Sequence, residues 1–350
     1  MRLSYTTYRL NCTHPFGISR STYEYYDRVF IYLEQDGLIG RGEAAPSERY
    51  NESIPQILEI LKNKITLPKD AINVNEIIEI FDRYTKDIKS FRSACVNALF
   101  DWWTKKNNVP LHEYYNYSHS HSHTFSQPTS FTIAIGNIKE LEKKVDEAKT
   151  YKILKVKLGT EQDKEIISTI RKFTDKPIRI DANEGWDLET AKVMTEWLSN
   201  QNIELIEQPL PVKNLHEMSE LKHHSPISLI ADENCHTSAE MDNLVSRFDG
   251  INIKLAKCGG LDEAKRMIEI AKKHNLKIML GCMVESSIGI SAITQLASQA
   301  DYLDIDGNLL IDNDPYQGLQ IIDGIPTMPN STGLGLTLKN NYKNEFSDLK

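Results

Sequence analysis

Three acidic residues recur at regular spacing through the middle of this chain: Asp181 in "IRIDANEGW", Glu207 in "IELIEQPL" and Asp232 in "SLIADEN". Each closes a short apolar run, and neighbours in the series stand about 25 residues apart. Three like charges brought to one place raise one another's pKa values, and a divalent cation resolves that conflict. Ligation by oxygen alone suits Mg2+, which takes an octahedral shell and leaves positions for water and substrate. No His or Cys joins the set, which disfavours zinc. Lysines flank the trio, Lys155 and Lys157 one run before it and Lys254 one run after it. Burial and like charge both disfavour an ammonium, so Lys157 is expected to serve as a neutral general base. Two lysines on opposite sides of a metal-bound carboxylate can remove a proton from one face and return one to the other, while the metal stabilises the enolate between the two steps.

A second acidic feature is "DYLDIDG", in which Asp304 and Asp306 lie two apart. On an extended strand they share a side. Metal binding, acid–base chemistry and recognition of a cation are all open to such a pair, as is a plain turn cap at Asp304 before Gly307.

The elements that must carry these residues follow from the pattern. After residue 120 eight apolar runs succeed one another, from "TSFTIAIG" to "DYLDIDG", most of them separated by an amphipathic stretch such as "LETAKVMTEWLSNQ". A repeat of about 25 residues fits a strand–helix unit with short loops, and eight units in series predict a β/α barrel. A doubly wound sheet would have fewer units and often a Gly-rich phosphate loop, which is absent. The run ends carry Thr132, Lys155, Lys157, Asp181, Glu207, Asp232, Lys254, Cys282, Glu285, Asp304 and Asp306. In a barrel these ends surround one mouth, where active sites form. Residues 1–120 read differently, as strands joined at "QDG" and then helical stretches such as "NVNEIIEIFDRYTK", which predicts an α+β module. Between the halves, "SHSHSH" places His119, His121 and His123 in a polar linker; a metal site there is the lesser reading, with no acidic or Cys partner nearby.

A chain of 350 residues, 40% hydrophobic and 26% charged, has the composition of a globular protein. A net charge of -8 argues against a nucleic-acid partner. No apolar run is long enough to span a bilayer. No signal-peptide core opens the chain, and five scattered cysteines read as free thiols, so a cytoplasmic location is expected.

The motifs "GRGEAAP", "KVKLG", "DANEGW", "IEQPL", "ADEN", "INIKLAKCGG" and "GCMVESSIGI" together resemble the enolase superfamily, in its muconate-lactonizing-enzyme-like subgroup. The resemblance implies an α/β fold, a (β/α)7β TIM-type barrel with an N-terminal α+β capping domain. It implies capping over residues 1–120, completed by 318–350, and a barrel over 121–317. It implies one Mg2+ per subunit on Asp181, Glu207 and Asp232, acid/base chemistry at Lys157 and Lys254, and contact of Lys155 with the substrate carboxylate. The D-x-D of the last strand resembles the dipeptide epimerases of that subgroup, where the pair receives the substrate's α-ammonium. L-Ala-D/L-Glu is the expected substrate, with Arg20 on its distal carboxylate and Thr132 and Cys282 lining the pocket. Glu285 is expected to orient a lysine or the metal shell. A homo-oligomer, a small dipeptide as partner and a role in cell-wall peptide recycling complete the implication. N-acylamino acid racemases and o-succinylbenzoate synthases share the lysines but handle substrates without that cation. Outside this class stand a Schiff-base aldolase on Lys254 and a non-catalytic binding protein.

Overall fold

The computed structural model describes residues 1–18, 21–63, 65–69, 73–85, 87–114 and 127–342. Arg20 and the histidines 119, 121 and 123 lie outside the described residues. The N-terminal part is an antiparallel sheet of β1 (Arg2–Ile18), β2 (Ser21–Gln35) and β3 (Leu38–Ala44), in that order. Asp36 and Gly37, both left-handed at φ 55° and 74°, make the two-residue turn that "QDG" predicts. Val29, Ile31 and Leu33 alternate onto the inner face and are fully buried. Against them pack α1 (Ile54–Lys62), α2 (Val74–Thr85) and α3 (Lys89–Lys106). α3 lies directly on β3: a Cβ at Gly40 would stand 2.0 Å from Ala98 O, and one at Gly42 1.9 Å from Ala94 O. Only glycine at these two positions lets helix and strand approach so closely.

Eight parallel strands follow: β4 (Ser130–Ile133), β5 (Ile153–Lys157), β6 (Ile178–Asp181), β7 (Ile203–Glu207), β8 (Ser228–Ala231), β9 (Gly250–Ile253), β10 (Lys277–Gly281) and β11 (Tyr302–Asp304). They pair in chain order, and a Thr129–Leu303 bridge brings the last back to the first. Helices alternate with the strands, and the product is the (β/α)7β barrel. Side chains two apart point the same way, so β6 sends Arg179 to the bottom of the interior and Asp181 to the mouth. At the bottom Leu205, Ile230 and Met279 pack together with Tyr302 against them, and Arg179 donates to Glu204 at 2.6 Å and to Leu303 O at 2.6 Å. At the mouth, register pairs Thr132 with Lys155, Lys157 with Asp181, and Asp181 with Glu207.

The cap is locked to the barrel by polar groups. From β2, Arg28 donates to Val284 O through Nε and Nη2, at 3.0 and 2.6 Å. From β3, Glu43 caps the helix Ser287–Thr294: it accepts from Ser286 N and Gly289 N, each at 3.1 Å, and from Ser286 Oγ at 2.6 Å. Burial and the nearby Glu285 push Glu43 up to about 8, against the pull of Ser286 and Arg28. After the barrel the chain returns to the cap, where Asp312 N donates to Asn11 O and Leu334 N to Asp101. Among the described residues no helix is long and apolar enough to cross a membrane. All five cysteines are free thiols.

Candidate active site

The mouth brings the three expected carboxylates together. Asp181, Glu207 and Asp232 are buried, and one oxygen of each lies within 4.8 Å of the others. Each carboxylate has one oxygen fixed by the protein. Asp181 Oδ1 accepts from Asn183 N at 3.0 Å, Glu207 Oε1 from Asn252 Nδ2 at 2.7 Å, and Asp232 Oδ1 from Lys257 Nζ. The other oxygen of each faces a lysine: Asp181 Oδ2 meets Lys157, Glu207 Oε2 meets Lys155, and Asp232 Oδ2 meets Lys254, at 2.6, 2.6 and 2.9 Å. Three buried carboxylates with oxygens this close, one oxygen of each held by Asn183, Asn252 or Lys257, would suit a hard divalent cation. The donor set therefore fits Mg2+.

The lysines sit on either flank of the trio, Lys157 beside Asp181 and Lys254 beside Asp232. Their environment departs from the sequence expectation in one respect. Lys155 and Lys157 do not simply repel, because Asp181 Oδ2 lies between them, 3.1 Å from one and 2.6 Å from the other. Lys155 also reaches Glu207 and Asp304, each at 2.6 Å. Burial works against its charge, yet Asp304, Glu207 and Asp181 hold it well above the usual lysine range. Lys254 is raised likewise, Asp232 and Glu207 outweighing burial. In turn Lys157 and Lys155 overcome the burial of Asp181 and hold it below the usual carboxylate range, and Lys254 and Lys257 do the same for Asp232. Glu207 goes the other way, pushed up to about 7 by burial and Asp181.

Three supporting residues escaped the sequence reading. Lys257 is fully buried, one helical turn after Lys254, and also donates to Asp232 O at 2.6 Å and Cys235 O at 3.0 Å. Lys257 lies in the short helix Leu255–Cys258 that follows β9, for which Lys254 is the extended N-cap. Gln208 accepts from Asp232 N and Asn234 N at 3.0 and 3.2 Å. Asn252 occupies space left by Gly281, where a Cβ would lie 2.4 Å from its Oδ1. Backbone strain gathers here too: Asn183, Glu184 and Gln208, just past two of the acidic strand ends, have φ of 45°, 64° and 38°.

Asp304 and Asp306 are buried on the opposite side of Lys155, at the seam between β11 and β4. Ser130 Oγ donates to Asp304 Oδ1 at 2.6 Å, and Thr132 N to Asp306 Oδ2 at 2.7 Å. Thr132 thus meets Asp306, with its backbone N–H as the donor at 2.7 Å. Cys282 is half-buried beside it, its thiol 3.4 Å from Asp304 O. Glu285 is buried and accepts from Met283 N at 2.9 Å; its electrostatic neighbours include Arg28 and Lys254. From the cap, Arg49 grips Glu184 with Nη2 at 2.8 Å from both carboxylate oxygens, and Tyr50 packs edge-on against His236 at 5.0 Å.

Comparison with known proteins adds the following. Residues 138–342 match the model of the enolase C-terminal domain-like family, and residues 3–114 that of the mandelate racemase / muconate lactonizing enzyme N-terminal domain. An L-Ala-D/L-amino acid epimerase of Flavobacterium johnsoniae is 36% identical, covering 97% of this chain and 100% of its own. An L-Ala-D/L-Glu epimerase of Bacteroides thetaiotaomicron is 34% identical over 96% of this chain and 88% of its own. Among solved structures, the dipeptide epimerase of Cytophaga hutchinsonii, complexed with Mg and D-Ala-L-Val, superposes with a TM-score of 0.91. It is 25% identical, over 98% of this chain and 97% of that one.

Proposed function

The chain belongs to the mandelate racemase / muconate lactonizing enzyme family, and we propose that it epimerises dipeptides at the α-carbon of the C-terminal residue. The observation that carries this reading is the buried Asp304–Asp306 pair beside a complete set of trio and lysines. Thr132 hydrogen-bonds Asp306, which forms no ion pair among the described residues. A buried carboxylate without a cation is costly, and the α-ammonium of a dipeptide supplies one. N-acyl amino acids do not.

The residues then take these roles. The substrate carboxylate lies toward Lys155 and the trio, and its ammonium toward Asp304 and Asp306. Lys157 takes the α-proton from one face and Lys254 returns a proton on the other, with the roles exchanged for the opposite epimer. Asp181, Glu207 and Asp232 would hold Mg2+, which when bound would supply positive charge beside the substrate carboxylate. Thr132 and Cys282 line the pocket. Relatives and structural neighbours whose names carry L-Ala or D-Ala support alanine at the N-terminal position. L-Ala-D/L-Glu is the first substrate to test, and a homo-oligomer in the cytoplasm is part of the same reading. In D2O with Mg2+, L-Ala-L-Glu is expected to epimerise and to gain one deuterium at the glutamyl α-carbon, and EDTA to stop both. Exchange that survives EDTA, or no exchange from any L,L-dipeptide, would refute the reading.

A further inference from the structure

One buried carboxylate near the mouth has no part in the roles given above. Asp163 opens the helix Asp163–Ile170 and is 3% exposed. A carboxylate that served only to start its own helix would accept from that helix's N–H groups. Asp163 accepts instead from two loops. On one side lies the exit of β5, where Gly159 N donates at 3.0 Å, Thr160 N at 2.8 Å and Thr160 Oγ1 at 3.0 Å. On the other lies the loop that follows β6, where Trp186 Nε1 donates at 2.7 Å. Trp186 is itself buried and closes the motif "DANEGW".

These two loops carry one flank of the site. Gly159 stands two residues after Lys157, and Trp186 five after Asp181. Leu158 N, between Lys157 and Gly159, donates to Asp181 O at 2.8 Å. The loops touch, since a Cβ on Gly185 would stand 2.3 Å from Gly159 Cα. The loop after β6 also keeps Asn183 and Glu184 at left-handed φ, a strain that its surroundings must hold in place. Lys254 follows β9 on the other flank of the trio, where its partner is Asp232.

We propose that Asp163 and Trp186 form a clasp that positions Lys157 and leaves Lys254 untouched. The inference rests on the two-base epimerase reading and adds a pair of positioning residues to it. Asp163 fixes the backbone that leaves β5, and that backbone sets where the Lys157 nitrogen meets the substrate's α-carbon. A reacting group displaced by about 1 Å loses on the order of 100-fold in rate.

The test follows α-proton exchange of L-Ala-L-Glu and L-Ala-D-Glu separately, by mass spectrometry in D2O with the Mg2+-loaded protein. Lys157→Ala marks the epimer that Lys157 serves, as the one whose exchange it abolishes. Trp186→Phe keeps the aromatic body and removes the N–H; it is expected to slow exchange of that epimer about 10-fold and to leave the other within about twofold. Asp163→Asn is expected to act in the same direction by about 100-fold, and Trp186→Phe decides the matter should Asp163→Asn fail to fold. No slowing, or equal slowing of both epimers, would overturn the clasp. A fall in Mg2+ affinity by calorimetry as large as the loss of exchange would place the effect on Asp181 and overturn it too. Wild-type protein that exchanges no dipeptide, or a Lys157→Ala that stops both epimers equally, would instead overturn the reaction on which the inference rests.

Discussion

The molecule buries acidic groups in two places and neutralises them differently. At the barrel mouth, lysine side chains face all three carboxylates: Lys155 meets Glu207, Lys157 meets Asp181, and Lys254 and Lys257 meet Asp232. At the cap–barrel junction, Glu43 and Glu285 face Arg28 and backbone N–H groups, and burial pushes both carboxyls upward, Glu43 to about 8. The difference separates a working site from a joint. Lysine side chains are long and can swing, so the oxygens they hold can be handed to a cation. Backbone donors at the start of a helix are fixed, and a carboxyl seated on them is a permanent cap.

The strongest way to break this contrast is to remove the lysines. Lys157→Ala and Lys254→Ala are each expected to lower epimerisation by about 10^2- to 10^4-fold. Each should abolish α-proton exchange from one epimer and spare the other, as read by mass spectrometry in D2O. Equal loss from both epimers in both variants would mean that the flanks are not separate bases. At the joint the effect falls on stability. Glu43→Ala orphans Ser286 N and Gly289 N at a buried helix start and is expected to lower the unfolding free energy in urea by about 1–3 kcal/mol. The isosteric Glu43→Gln adds a pH test. Folded Glu43 keeps its proton to about pH 8 against 4.5 for an ordinary Glu. The folded state binds the extra proton across that window, so this group makes stability fall as pH rises from about 4.5 to about 8. Glu43→Gln should flatten the slope; an unchanged slope would place the proton elsewhere. Asp181 and Asp232, held low by lysines, have the opposite sign and lose their contribution only in acid. Smallest of all, Arg49→Ala cuts the bridge from the cap loop to Glu184. With Arg49 41% exposed, the change in stability should stay below about 1 kcal/mol.

Much of the mouth was legible in sequence because strand ends repeat. One apolar run closed by one polar residue, eight times over, is a linear signal, and it located the barrel and the positions of Asp181, Glu207, Asp232, Lys157, Lys254 and the D-x-D pair. What stayed hidden acts across the chain or through a backbone atom. Glu43 lies in the quoted motif "GRGEAAP", yet its partners Ser286 and Gly289 are over 240 residues away. Lys257 is masked by a four-residue helix too short to show periodicity. Lys155 and Lys157 were expected to repel because strand alternation places them on one side, but alternation carries no information about Asp181 reaching in from the neighbouring strand.

The seam between β4 and β11 has a consequence for how the chain matures. Ser130 and Asp304 bond to each other across 174 positions of sequence, so the first barrel strand leaves the ribosome long before its closing partner. Folding that waits on so distant a contact is slow and completes late. Until residues 301–307 emerge, the nascent barrel has an unpaired parallel edge, a template for mispairing that chaperones guard against. The same side chains that end this exposure are those proposed to read the substrate. A chain that lacked residues 301–307 would therefore lack closure and recognition together.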